Sequence, residues 1–304
     1  MSRRRISESR ILITGASQGI GKALAEAAAA QGAKVLAAAR SEHLLRELSE
    51  QVRARGGSLE TVTADITEPK DRERMVEAAL DHLGGLDVLV NNAGIGATGH
   101  FVEATPHRLR KIMDVNFFGV TETVRLFLPL LRGGNRPAIV NISSIAGKRA
   151  IPARSEYSAS KFALHGFSEA LRAELAKDGI DVLIVCPGLT DTNFSKNMLE
   201  QKARMPVDHL RGMKPEKVAA ATLRAIEHGR HEVCLTVQGK LLVFVSRFFP
   251  RLADRIAARR VRQLFWDELQ AGRRRNDKRF PDSAKPQAAG ASGELDEAAR
   301  LAVD

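Results

Sequence analysis

Tyr157 and Lys161 stand four residues apart in Tyr157-Ser158-Ala159-Ser160-Lys161, and Tyr157 is the chain's single tyrosine. On a helix that spacing sets both side chains on one face. An isolated phenol, with a pKa of about 10, is a poor acid or base near neutrality. A neighbouring ammonium stabilises the phenolate and lowers that value. The pair is therefore expected to move a proton on or off a substrate oxygen, with Lys161 tuning Tyr157. The same spacing also describes an ordinary surface pair, so its neighbours decide its meaning. Ser144, thirteen residues before Tyr157, is expected to donate to a carbonyl oxygen. Asn116 carries both donors and acceptors, and can fix a water that passes protons from Lys161 to solvent.

A second group of residues suits a dinucleotide. Thr14-Gly15-Ala16-Ser17-Gln18-Gly19-Ile20-Gly21 follows an apolar run and opens a helical pattern. Gly15 permits a sharp turn, Gly19 leaves room for a pyrophosphate, and Gly21 permits close helix–strand packing. The next strand ends in Arg40, where an NAD site usually carries an acid. An acid would repel a 2′-phosphate and a guanidinium grips one, so NADP(H) is expected rather than NAD(H). Asp65 is placed to accept from the adenine amino group, with Ile66 beside the ring. A helix cap is the other reading of Asp65, although Thr67 suits that role better.

These residues need a scaffold. Apolar, β-rich runs at Arg10–Thr14, Lys34–Ala38, Leu59–Thr63, Leu86–Val90, Ala138–Ile142, Asp181–Val185 and Glu232–Thr236 alternate with helical patterns. The helical stretches are Ile20–Gln31, Glu42–Arg55, Pro69–Leu83, Pro106–Leu131, Glu156–Lys177 and Pro215–His228. Such alternation predicts an α/β doubly wound parallel sheet covered on both faces. Ser144 then follows the fifth strand and Asn92, Ala93 and Gly94 the fourth, at the sheet edge where ligands collect. The expected organisation is an N-terminal arm (residues 1–9), a Rossmann-type catalytic domain (10–238), an amphipathic helical extension (239–270) and a mostly disordered tail (271–304).

As an ordered set, TGASQGIG at 14–21, NNAG at 91–94, Asn116, SSIAG at 143–147, YSASK at 157–161 and PGLTDT at 187–192 resemble the short-chain dehydrogenase/reductase family, in its non-extended branch. The resemblance covers roughly residues 10–237. It implies a seven-stranded sheet in the order 3-2-1-4-5-6-7, hydride transfer between a nicotinamide and an alcohol or carbonyl, and a catalytic tetrad of Asn116, Ser144, Tyr157 and Lys161. It also sets Pro187, Gly188, Thr190 and Thr192 on the nicotinamide side. Some NADP-using members carry a basic residue where this chain has Gln18, so the cofactor preference rests on Arg40. The long helices 106–131 and 156–177 resemble the family's dimer-forming pair, which implies a homodimer or homotetramer.

The substrate side is expected in residues 189–214, where Phe194, Met198, Leu199, Met205 and Met213 could line an apolar pocket. A hydrophobic substrate follows, lipid-, steroid- or ketoacyl-like. Beyond the seventh strand, Arg251, Arg255, Arg259 and Arg262 fall on one face of a helical pattern. Leu252, Ile256, Ala257, Val261, Leu264 and Phe265 lie opposite. The expected arrangement packs this segment over the mouth of the site or into an oligomer. The alternative, over 240–266, is peripheral contact with an anionic membrane.

Composition narrows the field. The chain has 304 residues, a net charge of +11 and 44% hydrophobic residues, enough for a substantial core. Eleven basic residues face four acidic ones between Arg247 and Arg279. Aromatic residues there are sparse and no nucleic-acid module is recognisable, so a nucleic-acid partner is not expected. Two cysteines imply reduced thiols and a cytoplasmic setting. No metal set stands out. The apolar run after the first ten residues is too short for a signal peptide. A non-enzymatic, NADP(H)-responsive binding protein is the alternative function, but it would be expected to have lost part of the tetrad.

Overall fold

The computed structural model describes residues 4–202 and 212–264. The described residues divide into two units, between Arg255 and Ile256. Of the second, the described part is 256–264, the C-terminal portion of a helix. The expected tail, 271–304, lies outside the described residues.

Seven parallel strands form one sheet in the order β3-β2-β1-β4-β5-β6-β7. They are β1 (Arg10–Thr14), β2 (Lys34–Ala39), β3 (Leu59–Thr63), β4 (Val88–Asn91), β5 (Ala138–Ile142), β6 (Asp181–Cys186) and β7 (Glu232–Cys234). The helices are α1 (Gly19–Ala30), α2 (Glu42–Ala54), α3 (Pro69–Leu83), α4 (Pro106–Met113), α5 (Gly119–Arg132), α6 (Ser155–Glu174), α7 (Pro215–Glu227), α8 (Val237–Phe248) and α9 (Pro250–Leu264). Strand residues alternate between two buried layers. Ile11, Ile13, Val35 and Val88 pack with Leu24 of α1, Leu45 of α2 and Leu223 of α7. Leu12, Leu36 and Leu89 pack with Met75 of α3, Phe127 of α5 and Leu164 of α6. Both faces are apolar because both are covered, which explains why the strands read as unbroken apolar runs.

Two elements differ from expectation for local reasons. The stretch 106–131 is not one regular helix: Asp114–Phe118 forms a π-helical turn between α4 and α5. The seventh strand stops at Cys234, because the Thr236 hydroxyl accepts from the Gly239 amide at 3.0 Å and caps α8. The N-terminal arm is docked: Ile6 is buried, and Arg4 donates to the Pro137 carbonyl at 2.9 Å and pairs with Asp181. The cysteines are free thiols, and Cys186 and Cys234 are register neighbours across β6 and β7. Among the described residues, no helix is long and apolar enough to cross a membrane.

The chain reverses its winding direction between β1 and β4, and ligands bind open sheets at such a switch point. At the opposite end of these strands, buried Asp87 accepts from the Arg10 amide (2.8 Å), the Arg10 guanidinium (2.8 and 3.1 Å) and the Asn135 amide (2.7 Å). Burial alone would raise the Asp87 pKa, but these bonds and the Arg10 charge outweigh it and hold the carboxyl below its ordinary range. That contribution to stability is complete above the unfolded carboxylate value and fades as pH falls through the lower folded one. Asp87→Asn is expected to lower the unfolding free energy by about 2–3 kcal/mol at neutral pH. Denaturant titrations should show that difference shrinking below about pH 4.

Candidate active site

A cavity of about 520 Å³ opens at the C-terminal edge of the sheet. Every residue expected in the tetrad and the cofactor wall lines it except Gly21 and Asn116. The glycine turn forms one wall. Gly15 (φ +64°) and Gly19 (φ +59°) lie in the left-handed region, and a Cβ on Gly15 would come within 2.8 Å of the Ala93 backbone. Gly21 is excluded from the wall because it is packed beneath it, where a side chain would strike the Gly15 carbonyl and the Asn92 amide. No side chain caps the first turn of α1. Ser17, Gln18 and Ile20 complete this wall, with Ala93 and Gly94 opposite. Asn92 acts mainly as a brace: its amide donates to the Thr14 and Gly15 carbonyls at 2.9 and 3.1 Å.

Arg40 is largely exposed at the end of β2, 3.8 Å from Asp65. The expectation that Thr67 caps α3 is not met: the residue before that helix is Glu68, and it makes no side-chain cap bond. Instead one Asp65 oxygen accepts from the Thr67 amide (2.9 Å) and hydroxyl (2.8 Å). Burial pushes the Asp65 carboxyl up, yet the Thr67 bonds and the Arg40 and Lys111 charges bring it below its usual value. Asp65 remains an acceptor beside Ile66. On the far side, Pro187, Gly188, Thr190 and Thr192 line the cavity. The Pro187 carbonyl accepts from the Ile145 amide at 3.0 Å, and the Thr192 side chain faces Gly19.

Tyr157 and Lys161 sit on the first two turns of α6. The turn carrying Tyr157 is pinned from below: buried Arg108 of α4 forks onto Glu156 at 2.9 and 3.1 Å and also reaches Glu200 at 2.9 Å. Ser144 precedes a short 3₁₀ turn, and its hydroxyl accepts from the Ala146 amide at 3.1 Å. The expected tuning is modified. The Lys161 amine donates to the Ile142 carbonyl at 2.9 Å and stands 5.8 Å from the centre of the phenol ring. Burial lowers the Lys161 pKa to about 8. Among the protein's own groups, burial dominates Tyr157 and raises its pKa, opposed by a hydrogen bond with Ser144 and by the Arg154 charge. The opposing cation is therefore Arg154, which sequence reasoning missed.

Asn116 also differs from expectation. It is fully buried in the π-helical turn, where its oxygen accepts from the Ile95 amide at 2.9 Å. Both amide protons are used, on the Ile95 carbonyl and the Ser160 hydroxyl, each at 2.9 Å. It braces the fourth-strand loop against α6, and only a lone pair of its oxygen remains for a water. Gly94 leaves the gap between that oxygen and the Lys161 amine.

The apolar lining differs in part. Phe194 lines the cavity with its ring 5.8 Å from that of Tyr157, joined by Ile151, Leu189 and Leu242. Met198, Leu199 and Met213 do not line it, and Met205 lies outside the described residues. In α8, Leu242 reaches the cavity and Val243 packs beside Ile145, but Leu241, Phe244 and Phe248 are exposed. Core packing of the described part of the extension is thus limited to one side of α8 and to Ala253 of α9. Sequence gave no signal for this split beyond its apolar run.

Residues 9–203 match the profile of the short chain dehydrogenase family. The chain is 36% identical to the uncharacterised oxidoreductase YxnA of Bacillus subtilis, over 83% of this chain and 72% of YxnA. It is 33% identical to the ketoacyl reductase HetN of a Nostoc species, over 81% of this chain and 87% of HetN. A short chain dehydrogenase/reductase from Burkholderia phymatum, solved in complex with NAD, superposes with a TM-score of 0.76 at 26% identity, covering 82% of this chain and 96% of that one.

The lowered Lys161 value has a testable consequence. Between about pH 8 and the ordinary lysine value of 10.5, the folded protein has released a proton that the unfolded chain still holds. Stability on this account rises with pH across that window, by about 3 kcal/mol if no other group intervenes. Lys161→Met should be more stable than the wild type at pH 7, and the gap should close toward pH 10.5 in denaturant titrations.

Proposed function

Because the chain belongs to the short-chain dehydrogenase/reductase family of oxidoreductases, we propose that it is an NADP(H)-dependent enzyme acting between an alcohol and a carbonyl on a substrate with a hydrophobic body. The observation that carries this reading is the convergence of Ser144, Tyr157 and Lys161 on a cavity continuous with the glycine turn. Gly15 and Gly19 fit a pyrophosphate, since their left-handed backbone forms a turn that side chains would strain and the start of α1 favours negative charge. Arg40 supplies donors for a 2′-phosphate, Asp65 and Ile66 meet the adenine, and Pro187, Gly188, Thr190 and Thr192 meet the nicotinamide side.

The bound nicotinamide supplies or accepts the hydride. Tyr157 gives its proton to the carbonyl oxygen in reduction and takes it back from the carbinol in oxidation. Ser144 holds that oxygen and stabilises its developing charge. Lys161 orients the ribose and stabilises the phenolate as it forms. Asn116 positions Lys161's surroundings through Ile95 and Ser160. Ile151, Leu189, Phe194 and Leu242 support an apolar substrate body. Tyr157→Phe should lower kcat by about 10²–10⁴-fold, a range typical of a positioned acid–base group, while NADPH binding stays measurable. Arg40→Ser should weaken NADPH roughly 10-fold or more and leave NADH unchanged. Equal or tighter binding of NADH by the unaltered protein would overturn the NADP assignment.

Two surfaces extend the reading. Phe118 and Phe162 are exposed on the α4–α5 and α6 helices and support a homo-oligomer contact there. On α8 and the following turn, Leu241, Phe244, Phe248 and Phe249 are exposed beside Lys240, Arg247 and Arg251. This combination favours peripheral contact with an anionic membrane, close to the cavity mouth at Leu242. The protein should sediment with phosphatidylglycerol vesicles and be released by salt, and Phe244→Ser combined with Phe248→Ser should abolish binding. Failure of the unaltered protein to bind would dismiss membrane contact.

A further inference from the structure

Beyond its influence on the Tyr157 phenol, one charge in the cavity has no part in the hydride transfer. Arg154 immediately precedes α6, three residues before Tyr157, and lines the cavity with the phenol, Ser144 and Phe194. Its Nε is sealed from solvent and lacks a hydrogen-bond partner among the described residues. Burial works against its charge, and the only favourable electrostatic partner is Tyr157. Arg154 is partly buried, and a cation drawn partly out of water with no acid beside it keeps part of its desolvation cost.

Nearby acids do not relieve it. Glu156, two residues on, is held by Arg108 through both carboxylate oxygens. Among the described residues lining the cavity, Asp65 is the only carboxylate. It is engaged by Thr67 and lies near Arg40. Apart from the cations Arg40 and Lys161, the rest of the cavity lining is apolar, as at Ile151 and Leu189, or neutral, as at Asn193.

We propose that Arg154 is an anion subsite, and that the substrate is a carbonyl or carbinol compound bearing a carboxylate or phosphate group. The planar guanidinium receives that group through paired N–H donors, which fixes the apolar body and turns the reacting oxygen toward Tyr157 and Ser144. The inference rests on the oxidoreductase reading for its carbonyl chemistry, but the anion site itself does not.

The test compares short and long ω-oxocarboxylates with their methyl esters at saturating NADPH. The wild type should favour the acid over its ester by about 30-fold or more in kcat/KM, chiefly through KM. Arg154→Gln should erase that preference and Arg154→Lys should restore part of it. Acid and ester turned over alike by the wild type, or a preference that survives Arg154→Gln, would overturn the subsite. An equal loss for acid and ester with a displaced pH profile would also overturn it, leaving Arg154 as a residue that only tunes Tyr157. Calorimetry on the NADP⁺-loaded protein with benzoate and with inorganic phosphate separates the two anion sources and needs no turnover. Binding of either that is lost in Arg154→Gln supports the subsite even if no carbonyl compound is reduced, in which case the oxidoreductase reading alone fails. Absence of binding by both anions contradicts it.

Discussion

A lysine ammonium kept in a dry interior one helical turn from a single phenol is the arrangement on which the rest of this molecule depends. Water would hold both groups near their ordinary protonation states; burial moves the Lys161 value down to about 8 and the Tyr157 value up. The two shifts move the pair apart in proton affinity: Lys161 releases its proton more readily than a free lysine, and Tyr157 holds its own more tightly than a free phenol. The fold supplies compensation in one bond, from the Lys161 amine to the Ile142 carbonyl at the end of β5. That carbonyl is available because β5 ends there and the chain turns into the Ser144 segment.

Keeping the pair in place needs anchors on each side of α6. Below, the Arg108–Glu156 pair ties the helix start to α4 and, through Glu200, to the substrate loop. Beside it, Asn116 joins α6 to the fourth-strand loop through Ser160 and Ile95. Deeper still, Asn91 donates to Asn141 and Asn141 to Ser168, each at 2.8 Å, so β4, β5 and α6 share one buried polar chain. Such networks specify a unique packing when nearly every member is paired. The glycine turn is held in the same frame, since Asn92 and the Thr14 hydroxyl lock it to the end of β4. Cofactor wall and proton-transfer pair are thus set by one set of bonds.

Much of this was legible in the sequence because it is carried by local patterns. Unbroken apolar runs mark strands covered on both faces, and the sheet order followed from the family resemblance. The glycine spacing located the turn, and the Tyr157–Lys161 spacing located one helix face. Other features depend on tertiary placement. The π-helical turn at Asp114–Phe118 shifts the phase by a fraction of a turn, which apolar periodicity does not register. The direction of the Lys161 amine depends on a carbonyl nineteen residues away in sequence. Arg154 reads as an ordinary polar residue before a helix, and only its partly buried place in the cavity and its unpartnered Nε single it out. The methionines of 189–214 suggested a pocket by composition, but Phe194 and Leu189 line it.

Since Tyr157 is the only tyrosine in the chain, its ionisation can be followed without interference from another phenol. Labelling the protein with [¹³Cζ]tyrosine and following the single carbon resonance against pH, with and without saturating NADP⁺, tests the central claim directly. The account predicts a midpoint above the ordinary phenol value in the protein alone, falling when the positively charged nicotinamide is bound. A phenol that titrates at its ordinary value and does not respond to NADP⁺ would contradict it.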